Sequence, residues 1–351
     1  DNGIDYITHN EPIQQILPET SQNVAGYAAA LYNNRLVLGT ASGIWTAEVS
    51  NPLQLGLNHG PLQKMPKPDG QIWGLKAING QLLIGHHEGA TLLRPNFTLK
   101  QYGFTTGYWC FEPAESLQPV QQLIAGTYRG IKMVSLAEPN WDNPAQKADF
   151  ESSRFVVPYE NKIWIAHPYK GIYSINKNDT LLRVQKLDST KGIKYPTKNY
   201  LFRLKNRLAA ATQGGILQYN EAYDRFEPWP YLDSLIPFKE IRLMKEDPYG
   251  NIWVVYEKNL AIVDFSTDKP RTVFIPELTN NLLSGFENIA FINEENTILG
   301  GEKGFYLLNY PKYKQIHLEI KPIIRMVKVF GPSNKILYEG YSGGHNNISG
   351  E

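Results

Sequence analysis

The sequence repeats one pattern seven times, and this repeat constrains the fold more than any other feature. Its clearest copy is NIWVVYEKNLAIVDF at 251–265, which is a short apolar strand, a polar bend and a second strand. Successive copies, aligned on their small or apolar fifth residue, lie 40 to 46 residues apart. Those anchor residues are Gly39, Gly85, Gly126, Ala166, Ala211, Val255 and Gly300. A period of this length is typical of solenoids, propellers and arrays.

The pattern inside each copy selects among these architectures. The first strand, such as LVLG or IWVV, is apolar without alternation, which indicates a strand covered on both faces. The bend after it ends in Gly in six copies, and Gly accepts the positive φ that a tight turn requires. Asn259 takes that place in the copy at 251–265, so we expect it to adopt positive φ there. Turns such as Asn79-Gly80 add another hairpin upstream, which gives four strands per repeat.

The sequence therefore predicts an all-β fold, a seven-bladed β-propeller of four-stranded blades over residues 1–315. A helical solenoid would need apolar residues with a period of 3.6, and the repeats do not show this period. Residues 1–16 match the second half of a repeat, and the last copy stops after its third strand. We expect the N-terminal segment to supply the outer strand of the last blade, which removes an unpaired edge. The alternative is that DNGIDYI is the tail of a preceding propeller.

Residues 316–351 break the repeat. Ile316, Leu318 and Ile320 alternate with polar residues, a second apolar run covers 323–330, and a turn follows at 331–334. This order predicts the first strands of a truncated immunoglobulin-like β-sandwich domain, or a tail.

Charge and composition exclude some classes of function. The 35 Lys and Arg nearly balance the 34 Asp and Glu, so the net charge of +1 gives no reason to expect contact with nucleic acid. The single cysteine, Cys110, excludes an internal disulfide, and its aromatic neighbours predict a buried, inert thiol. No apolar run is long enough to span a bilayer. The chain starts at Asp1 without Met, so we expect it to be a piece of a longer protein.

No catalytic or metal-binding motif is present, and we predict no catalytic residue, metal or cofactor. His86-His87-Glu88 is the nearest approach to a metal site, but adjacent histidines of a strand point to opposite sides. The Gly-containing bends lack the lysine of a phosphate-binding loop. The carboxylates are dispersed over the repeats, so no glycosidase pair can be selected.

A candidate binding surface follows from the repeat itself. Equivalent bends of all blades emerge on one face of the ring, and the loops that join consecutive blades reach the same face. We predict that this bend face binds a small-molecule or oligosaccharide ligand, because flat rings stack on sugars while polar groups fix orientation. The alternative is that the bends are simply polar and that the tryptophans pack between blades. The predicted ligand-binding residues are Trp73, His86, His87, Trp109, Tyr128, Arg129, His167, Tyr169, Lys170, Tyr256 and Lys258.

Several stretches resemble a known family. The unit D-x-x-G-N-I-W-V, at Asp247 to Val254, resembles the two-component regulator propeller repeat. DNGIDYI and GYAAALYNNRLVLGTASGIW look like parts of the propeller of large bacterial transmembrane regulators, and 316–340 is similar to the start of the triple-tyrosine domain that follows it. The resemblance implies a non-enzymatic periplasmic sensor module, often tied to carbohydrate sensing, which feeds a histidine kinase or DNA-binding output.

The resemblance also implies membrane tethering through a segment outside this chain, and a homodimer in the full-length receptor. Two other functions remain open at this stage. One is a propeller enzyme that acts on polysaccharide as a lyase or glycosidase, and the other is a propeller that only binds proteins. For the sensor, we expect ligand binding to reorient or dimerise a stiff ring.

Overall fold

A computed structural model describes residues 11–16, 24–55, 59–115, 118–138, 140–315, 326–329 and 335–339. Within these residues the chain forms seven four-stranded antiparallel sheets and one two-stranded sheet. The seven larger sheets are the blades of a propeller, and six of them follow the chain from the inner to the outer strand, whereas the seventh takes its outermost strand from the N-terminal end of the propeller. The prediction of an all-β, seven-bladed propeller of four-stranded blades is confirmed.

The strands follow each other in chain order. The first described strand is β1 (Ile13–Ile16). Blade 1 consists of β2 (Gly26–Tyr32), β3 (Arg35–Thr40), β4 (Gly43–Glu48) and β5 (Gln63–Lys64). Blade 2 consists of β6 (Ile72–Ile78), β7 (Gln81–His86), β8 (Gly89–Leu93) and β9 (Leu99–Gly103). Blade 3 consists of β10 (Tyr108–Pro113), β11 (Leu123–Thr127), β12 (Gly130–Val134) and β13 (Gln146–Ala148). Blade 4 consists of β14 (Phe155–Tyr159), β15 (Lys162–His167), β16 (Gly171–Asn176) and β17 (Val184–Lys186). Blade 5 consists of β18 (Tyr200–Leu204), β19 (Arg207–Thr212), β20 (Gly215–Asn220) and β21 (Arg225–Pro228).

Blade 6 is β22 (Ile241–Glu246), β23 (Ile252–Tyr256), β24 (Asn259–Asp264) and β25 (Arg271–Phe274). Blade 7 takes β26 (Ile289–Phe291), β27 (Asn296–Gly301) and β28 (Gly304–Asn309) from the end of the propeller and β1 from its start. Two short helices, α1 (Pro230–Leu235) and α2 (Tyr310–Gln315), and 3-10 turns at Pro52–Gln54, Ser189–Lys191 and Pro276–Leu278 lie between strands or after them.

The core consists of apolar layers between neighbouring blades. The described residues form seven apolar clusters, and each cluster joins two consecutive blades, with one joining blade 7 to blade 1. Strand β15 is an example, because four consecutive residues of its six are buried, and consecutive residues of a strand lie on opposite faces of the sheet. This double coverage explains why the inner sequence of each repeat lacks polar alternation.

The ring closes through the N-terminal strand. β1 is the outermost strand of blade 7 and pairs antiparallel with β28, with Ile16 opposite Phe305. This is the position that the sequence analysis gave to the N-terminal segment, although DNGIDYI itself lies outside the described residues. Ile16 is buried in the cluster between blades 7 and 1, so the closing strand contributes to that interface as well as to the sheet.

The positive-φ positions of the bends differ in part from the prediction. Gly43, Gly130 and Gly171 adopt φ of 113°, 103° and 108°, as the turn requires. The expectation for Asn259 is wrong, since positive φ falls on Glu257 (φ 50°) in that bend. The bend of blade 6 is therefore a two-residue turn between β23 and β24, and its left-handed residue is Glu257. Asn259 already belongs to β24.

The motif that begins at Asp247 is explained by one buried carboxylate. Its Oδ1 accepts the backbone N–H groups of Tyr249 and Asn251, both at 2.9 Å, and thereby shapes the turn between β22 and β23. Its Oδ2 accepts the side-chain amide of Asn251 at 2.8 Å and the indole N–H of Trp253 at 3.0 Å. Blade 4 places Trp164 at the position of Trp253 but has no equivalent aspartate, and the indole nitrogen of Trp164 has no hydrogen-bond partner in the described part of the chain.

The C-terminal unit, Lys314–Glu351, is separate from the compact unit Asp1–Tyr313. Its described part is an antiparallel hairpin of β29 (Met326–Val329) and β30 (Lys335–Glu339). The predicted strand at 316–320 lies outside the described residues, and the sandwich domain stays a prediction. None of the helices in the described ranges has the length and apolar character needed to cross a bilayer.

We expect Asp247→Ala to lower the free energy of unfolding by about 3 kcal/mol, because four donors lose their acceptor and at least one of them is buried. Tyr249→Ala truncates an exposed side chain in the same turn, leaves the four hydrogen bonds of Asp247 in place and serves as the matched control, with an expected change of no more than about 0.5 kcal/mol. Urea denaturation followed by circular dichroism measures both. Equal stability of Asp247→Ala and the unmodified chain would contradict this role of the carboxylate.

We expect Ile16→Ala to lower the free energy of unfolding by about 2–4 kcal/mol, because it leaves a cavity at the interface that closes the ring. Gln14→Ala, two residues earlier on the same strand, changes a half-buried polar side chain and should shift stability by no more than about 0.5 kcal/mol. The same urea titration compares the two variants. A similar effect of both would show that the closing strand adds little to the interface.

Candidate ligand-binding site at the channel mouth

The inner strands surround a central channel, and a repeated backbone irregularity directs side chains into its mouth on the bend face. In blades 1, 2 and 3 the inner strand skips one residue in its pairing, and the skipped residues are Tyr27, Trp73 and Trp109. Arg242 is skipped in the same way in blade 6. A bulge of this kind leaves a residue outside the ladder and re-aims its side chain.

The other blades carry an equivalent residue just before the inner strand. Arg154 precedes Phe155, which pairs with the anchor Ala166 of blade 4. In blade 7 the corresponding residue is Glu287. One position of the repeat thus places aromatic rings on blades 1 to 3 and charged groups on blades 4, 6 and 7. The seven residues at this position are Tyr27, Trp73, Trp109, Arg154, Asn199, Arg242 and Glu287.

Aromatic rings pack together at this mouth. The rings of Trp73 and Trp109 have centroids 4.7 Å apart, and Phe286, from the loop before blade 7, stacks on Trp73 at 5.1 Å with an interplanar angle of 21°. Tyr27 meets Trp73 edge-on at 5.1 Å, and Tyr128 lies 4.8 Å from Trp109. Such offset and edge contacts are the favoured geometries of aromatic pairs. We call these five residues, Tyr27, Trp73, Trp109, Tyr128 and Phe286, the mouth cluster.

Arg154 reaches across the channel beside the mouth cluster. Its guanidinium lies 4.8 Å from the ring centroid of Phe286 and donates a hydrogen bond to the carbonyl of Gly285. Blade 4 and the loop that leads into blade 7 are not neighbours in the ring, so this contact spans the channel. Burial lowers the pKa of Arg154, while the nearby carboxylate of Glu287 acts in the opposite direction.

Hydrogen bonds hold the mouth cluster in place. The indole N–H of Trp73 donates to the hydroxyl of Tyr128 at 2.7 Å, and that hydroxyl lies 2.9 Å from Nδ1 of His87. The indole N–H of Trp109 donates to Oγ of Ser152 at 2.8 Å. Burial raises the pKa of Tyr128, so its hydroxyl stays neutral near pH 7. Rings fixed in this way lose little conformational freedom when a ligand stacks on them.

The charged part of the mouth is also ordered. Glu287 is buried and accepts the backbone N–H of Gly285 at 2.7 Å. Arg242 lies 3.3 Å from Glu240 and is influenced by the charge of Glu287 and by the hydroxyl of Tyr200. Rings on one side and guanidinium and carboxylate groups on the other suit a ligand with an apolar face and several polar substituents.

The structure brings together four of the predicted ligand-binding residues. Trp73, His87, Trp109 and Tyr128 contact each other through rings and hydrogen bonds. Arg129 follows Tyr128 directly and is exposed.

The other predicted residues form separate patches. His167 and Tyr169 have ring centroids 6.3 Å apart in the bend of blade 4, and Lys170 lies 4.0 Å from Glu151. In blade 6, Tyr256 stacks on Phe238 at 4.0 Å, and Lys258 forms an ion pair with Glu302 at 3.0 Å. These groups are on the bend face but outside the mouth cluster.

His86 is a correction to the predicted site. Its side chain is 2% exposed, and its Nε2 lies 3.0 Å from Oγ1 of Thr91. The reason is that His86 still belongs to strand β7, where it pairs with Ile72 and Gly89, whereas His87 already lies in the bend. Burial lowers the pKa of His86 to about 4, so it is neutral at pH 7 and inaccessible to a ligand.

Sequence reasoning missed five residues of the mouth, which are Tyr27, Arg154, Arg242, Phe286 and Glu287. Tyr27 and Arg154 each lie 12 residues before their anchors, Gly39 and Ala166, as Trp73 does before Gly85, so a register argument on the repeat could have found them. Phe286 carries no such signal, because its position depends on how the loop before blade 7 folds over the channel.

Other chemistry at the site is limited. Among the described residues no group of three or more His, Cys, Asp or Glu side chains is arranged to hold a metal ion. Cys110 lines the channel next to Trp109, and burial raises the pKa of its thiol to about 12, so the reactive thiolate is scarce at neutral pH.

Solved structures with this fold include extracellular signalling domains. The domain described as the extracellular domain of the hybrid two component system BT3049 from B. thetaiotaomicron has a TM-score of 0.63 and 16% identity, and the match covers 96% of this chain and 45% of that one. The corresponding domain of BT4673 from the same organism has a TM-score of 0.62 and 16% identity, over 91% of this chain and 45% of that one. This chain has their propeller fold. It spans less than half the length of either domain.

The same fold also occurs in an enzyme. Virginiamycin B lyase from Staphylococcus aureus matches with a TM-score of 0.56 and 10% identity, over 84% of this chain and 98% of that one. No protein-family model matches the sequence, and no curated protein has significant sequence similarity to it. At these identities the likeness concerns the fold alone.

We expect Tyr128→Phe to release the ring of Trp73, because the indole N–H and His87 both lose their shared partner. The free energy of unfolding should fall by about 1–2 kcal/mol. Tyr173→Phe removes a single hydroxyl that bonds a backbone carbonyl on blade 4 and is the control, with a smaller expected loss. Thermal unfolding and tryptophan fluorescence of the two variants provide the comparison. An unchanged spectrum and midpoint for Tyr128→Phe would show that the cluster does not depend on this hydroxyl.

Proposed function

We propose that this chain is a non-enzymatic sensor region of a bacterial transmembrane signalling regulator, and that it binds a carbohydrate or a related small ligand at the channel mouth. The observation that carries the proposal is the mouth cluster. Its rings come from blades 1, 2 and 3 and from the loop before blade 7, and hydrogen bonds hold Trp73 and Trp109 in place. The cations Arg154 and Arg242 lie at the same position of the repeat.

The mouth has the two elements that sugar recognition requires. A sugar ring has an apolar face of C–H groups, which stacks on an aromatic ring, and hydroxyl groups at its edge, which need donors and acceptors in fixed directions. Trp109 and Trp73 offer the first element, and Arg154, Arg242 and His87 offer the second. The half-buried state of the two tryptophans leaves part of each ring available for stacking.

The cellular setting of the proposal is periplasmic. The structural neighbours from B. thetaiotaomicron are extracellular domains of two-component regulators, which supports an extracytoplasmic position for this propeller. In this proposal a segment outside the chain tethers the receptor to the inner membrane, and the full-length receptor is a homodimer. The module itself makes no contact with nucleic acid, in keeping with its nearly balanced charge.

The mode of transmission in this proposal follows from the stiffness of the ring. Every blade is packed against two others, so a ligand at the mouth cannot easily deform one blade alone. Ligand binding would then change the orientation of the whole propeller or the association of two receptors. A ligand shifts the populations of two such states only when it binds one of them more tightly than the other.

Two other functions are outcomes of the same experiments. A lyase or glycosidase would release unsaturated or reducing ends from a polysaccharide, which spectrophotometric and reducing-sugar assays detect. A propeller that only binds proteins would show no shift with any glycan. The likeness to virginiamycin B lyase is the reason to include the enzyme assays.

We expect a thermal-shift screen of oligosaccharides to identify a ligand that raises the melting temperature by mass action. Trp109→Ala should weaken that ligand's binding at least about tenfold, or ~1.4 kcal/mol, because a stacking surface is lost. Trp109→Phe keeps a ring and should bind with intermediate affinity, which separates stacking from folding defects. Arg129→Ala tests the exposed charge beside the mouth and should also weaken binding.

The matched control is Tyr223→Ala, since Tyr223 is 71% exposed and lies in the turn between β20 and β21, away from the bends. Its affinity should equal that of the unmodified chain. Unchanged affinity in both Trp109→Ala and Arg129→Ala would reject the bend face as the site. Absence of any stabilising glycan would reject the carbohydrate part of the proposal.

A further inference from the structure

A cavity inside the channel continues the proposed site away from the bend face, and we call it the inner cavity. Its volume is ≈ 330 Å³, and four residues of the mouth cluster, Tyr27, Trp73, Trp109 and Phe286, line it together with Arg154. The contact between Arg154 and Phe286 spans the channel there. A volume of this size is at the lower end of the range for small-molecule sites.

The cavity opens on the opposite face of the ring. A wider funnel of ≈ 1000 Å³ occupies that face, and Glu112 and Lys245 line both the funnel and the inner cavity. A solute from the face opposite the bends therefore passes Glu112 and Lys245 before it reaches the inner cavity. This entrance leads to the mouth cluster from the face opposite the bends.

Charges at the junction leave one cation without an anionic partner. Lys76 forms an ion pair with Glu112, with Nζ 3.0 Å from Oε2. Lys245 donates instead to the backbone carbonyl of Ile289 at 2.7 Å, and its Nζ lies 5.2 Å from the ring centroid of Phe291. Within the described ranges no carboxylate lies at ion-pair distance from Nζ of Lys245, so two of its N–H groups can still bind an anion.

The remainder of the wall favours hydroxyl groups. Each inner strand has a neighbour strand on one side only, so its other edge presents backbone N–H and C=O groups to the channel. The carbonyl of Ile289 that accepts from Lys245 is one of these groups. The side chain of Asn288 also lines the cavity. Hydroxyl groups of a ligand can donate to and accept from such groups.

From this arrangement we propose that the inner cavity binds a small hydroxylated monocarboxylate, of the size of a single sugar acid, with its carboxylate on Lys245 and its hydroxyl groups on the strand edges. The ligand should carry one negative charge, because two cations, Lys76 and Lys245, face a single carboxylate, that of Glu112. The volume of ≈ 330 Å³ sets its size, because a longer oligosaccharide does not fit. This inference rests on the proposed function, since residues of the mouth cluster line the same cavity.

The proposal has a consequence for pH. Desolvation inside the channel lowers the pKa of Lys245 to about 8, although its side chain keeps contact with solvent; the charge of Lys76 adds to this effect, and Glu112 opposes it. Arg154 and Glu287 also line the cavity. Since only the protonated amine attracts a carboxylate, affinity should be highest at pH 7 and fall as the pH rises above 8. Bound carboxylate favours the ammonium form, so binding near pH 8 should take up a fraction of a proton.

Isothermal titration calorimetry of the whole chain with D-glucuronate, and with neutral D-glucose as the matched ligand, tests the site. We expect glucuronate to bind at least tenfold more tightly than glucose at pH 7 and to lose at least fivefold in affinity at pH 9. Titrations at pH 8 in two buffers of different ionisation enthalpy measure the proton uptake.

Variants at one position test the lysine directly. Lys245→Met keeps the length of the side chain and should reduce glucuronate affinity at least tenfold, whereas Lys245→Arg should retain binding and remove the loss at pH 9. Lys269→Met changes an exposed lysine in the same blade and should bind as the unmodified chain does. Circular dichroism confirms that each variant is folded.

Three results would overturn the proposal. They are no binding of glucuronate by the unmodified chain, equal binding of glucose and glucuronate, and unchanged affinity in Lys245→Met. Equal binding of glucose and glucuronate that Trp109→Ala still weakens would overturn the role of Lys245 and leave the proposed function intact. Absence of binding by either sugar or by any glycan of the thermal-shift screen would reject the proposed function as well.

Discussion

Each blade has two apolar faces, and no blade can cover both by itself. Strand β15 is a clear case, with buried side chains on both sides of the sheet. The seven clusters between consecutive blades meet this requirement, and β1, which pairs with β28, adds Ile16 to the cluster between blades 7 and 1. The free energy gained by covering these faces is the main term that stabilises the ring, and only a closed ring covers both faces of every blade.

The same constraint leaves the channel as the place where the repeat is free to vary. Residues between blades must be apolar and close-packed, but a residue expelled from the pairing by a bulge points into the channel mouth and escapes this requirement. Equivalent positions of the repeat hold the aromatic rings of Tyr27 and Trp109, the cation Arg154 and the anion Glu287. The inner edges of the strands add backbone donors and acceptors below them. A uniform scaffold thus presents a non-uniform channel.

The sequence predicted the strands well because their patterns are local, and it predicted the site less well because the site is not. The repeat located Trp73, His87, Trp109 and Tyr128 on one face, and they do contact each other. It failed for His86, because one residue decides whether a side chain belongs to a strand or to a bend.

What the sequence by itself determined is the number of blades, the pattern of each blade and the face on which the bends emerge, since a repeat period and a run of apolar residues act over short stretches of chain. Only the tertiary structure decided that Arg154 and Phe286 meet across the channel and that Lys245 lies in a cavity with Glu112. These residues are far apart along the chain and on blades that are not neighbours. Their contacts depend on the curvature and closure of the whole ring, which no local pattern records.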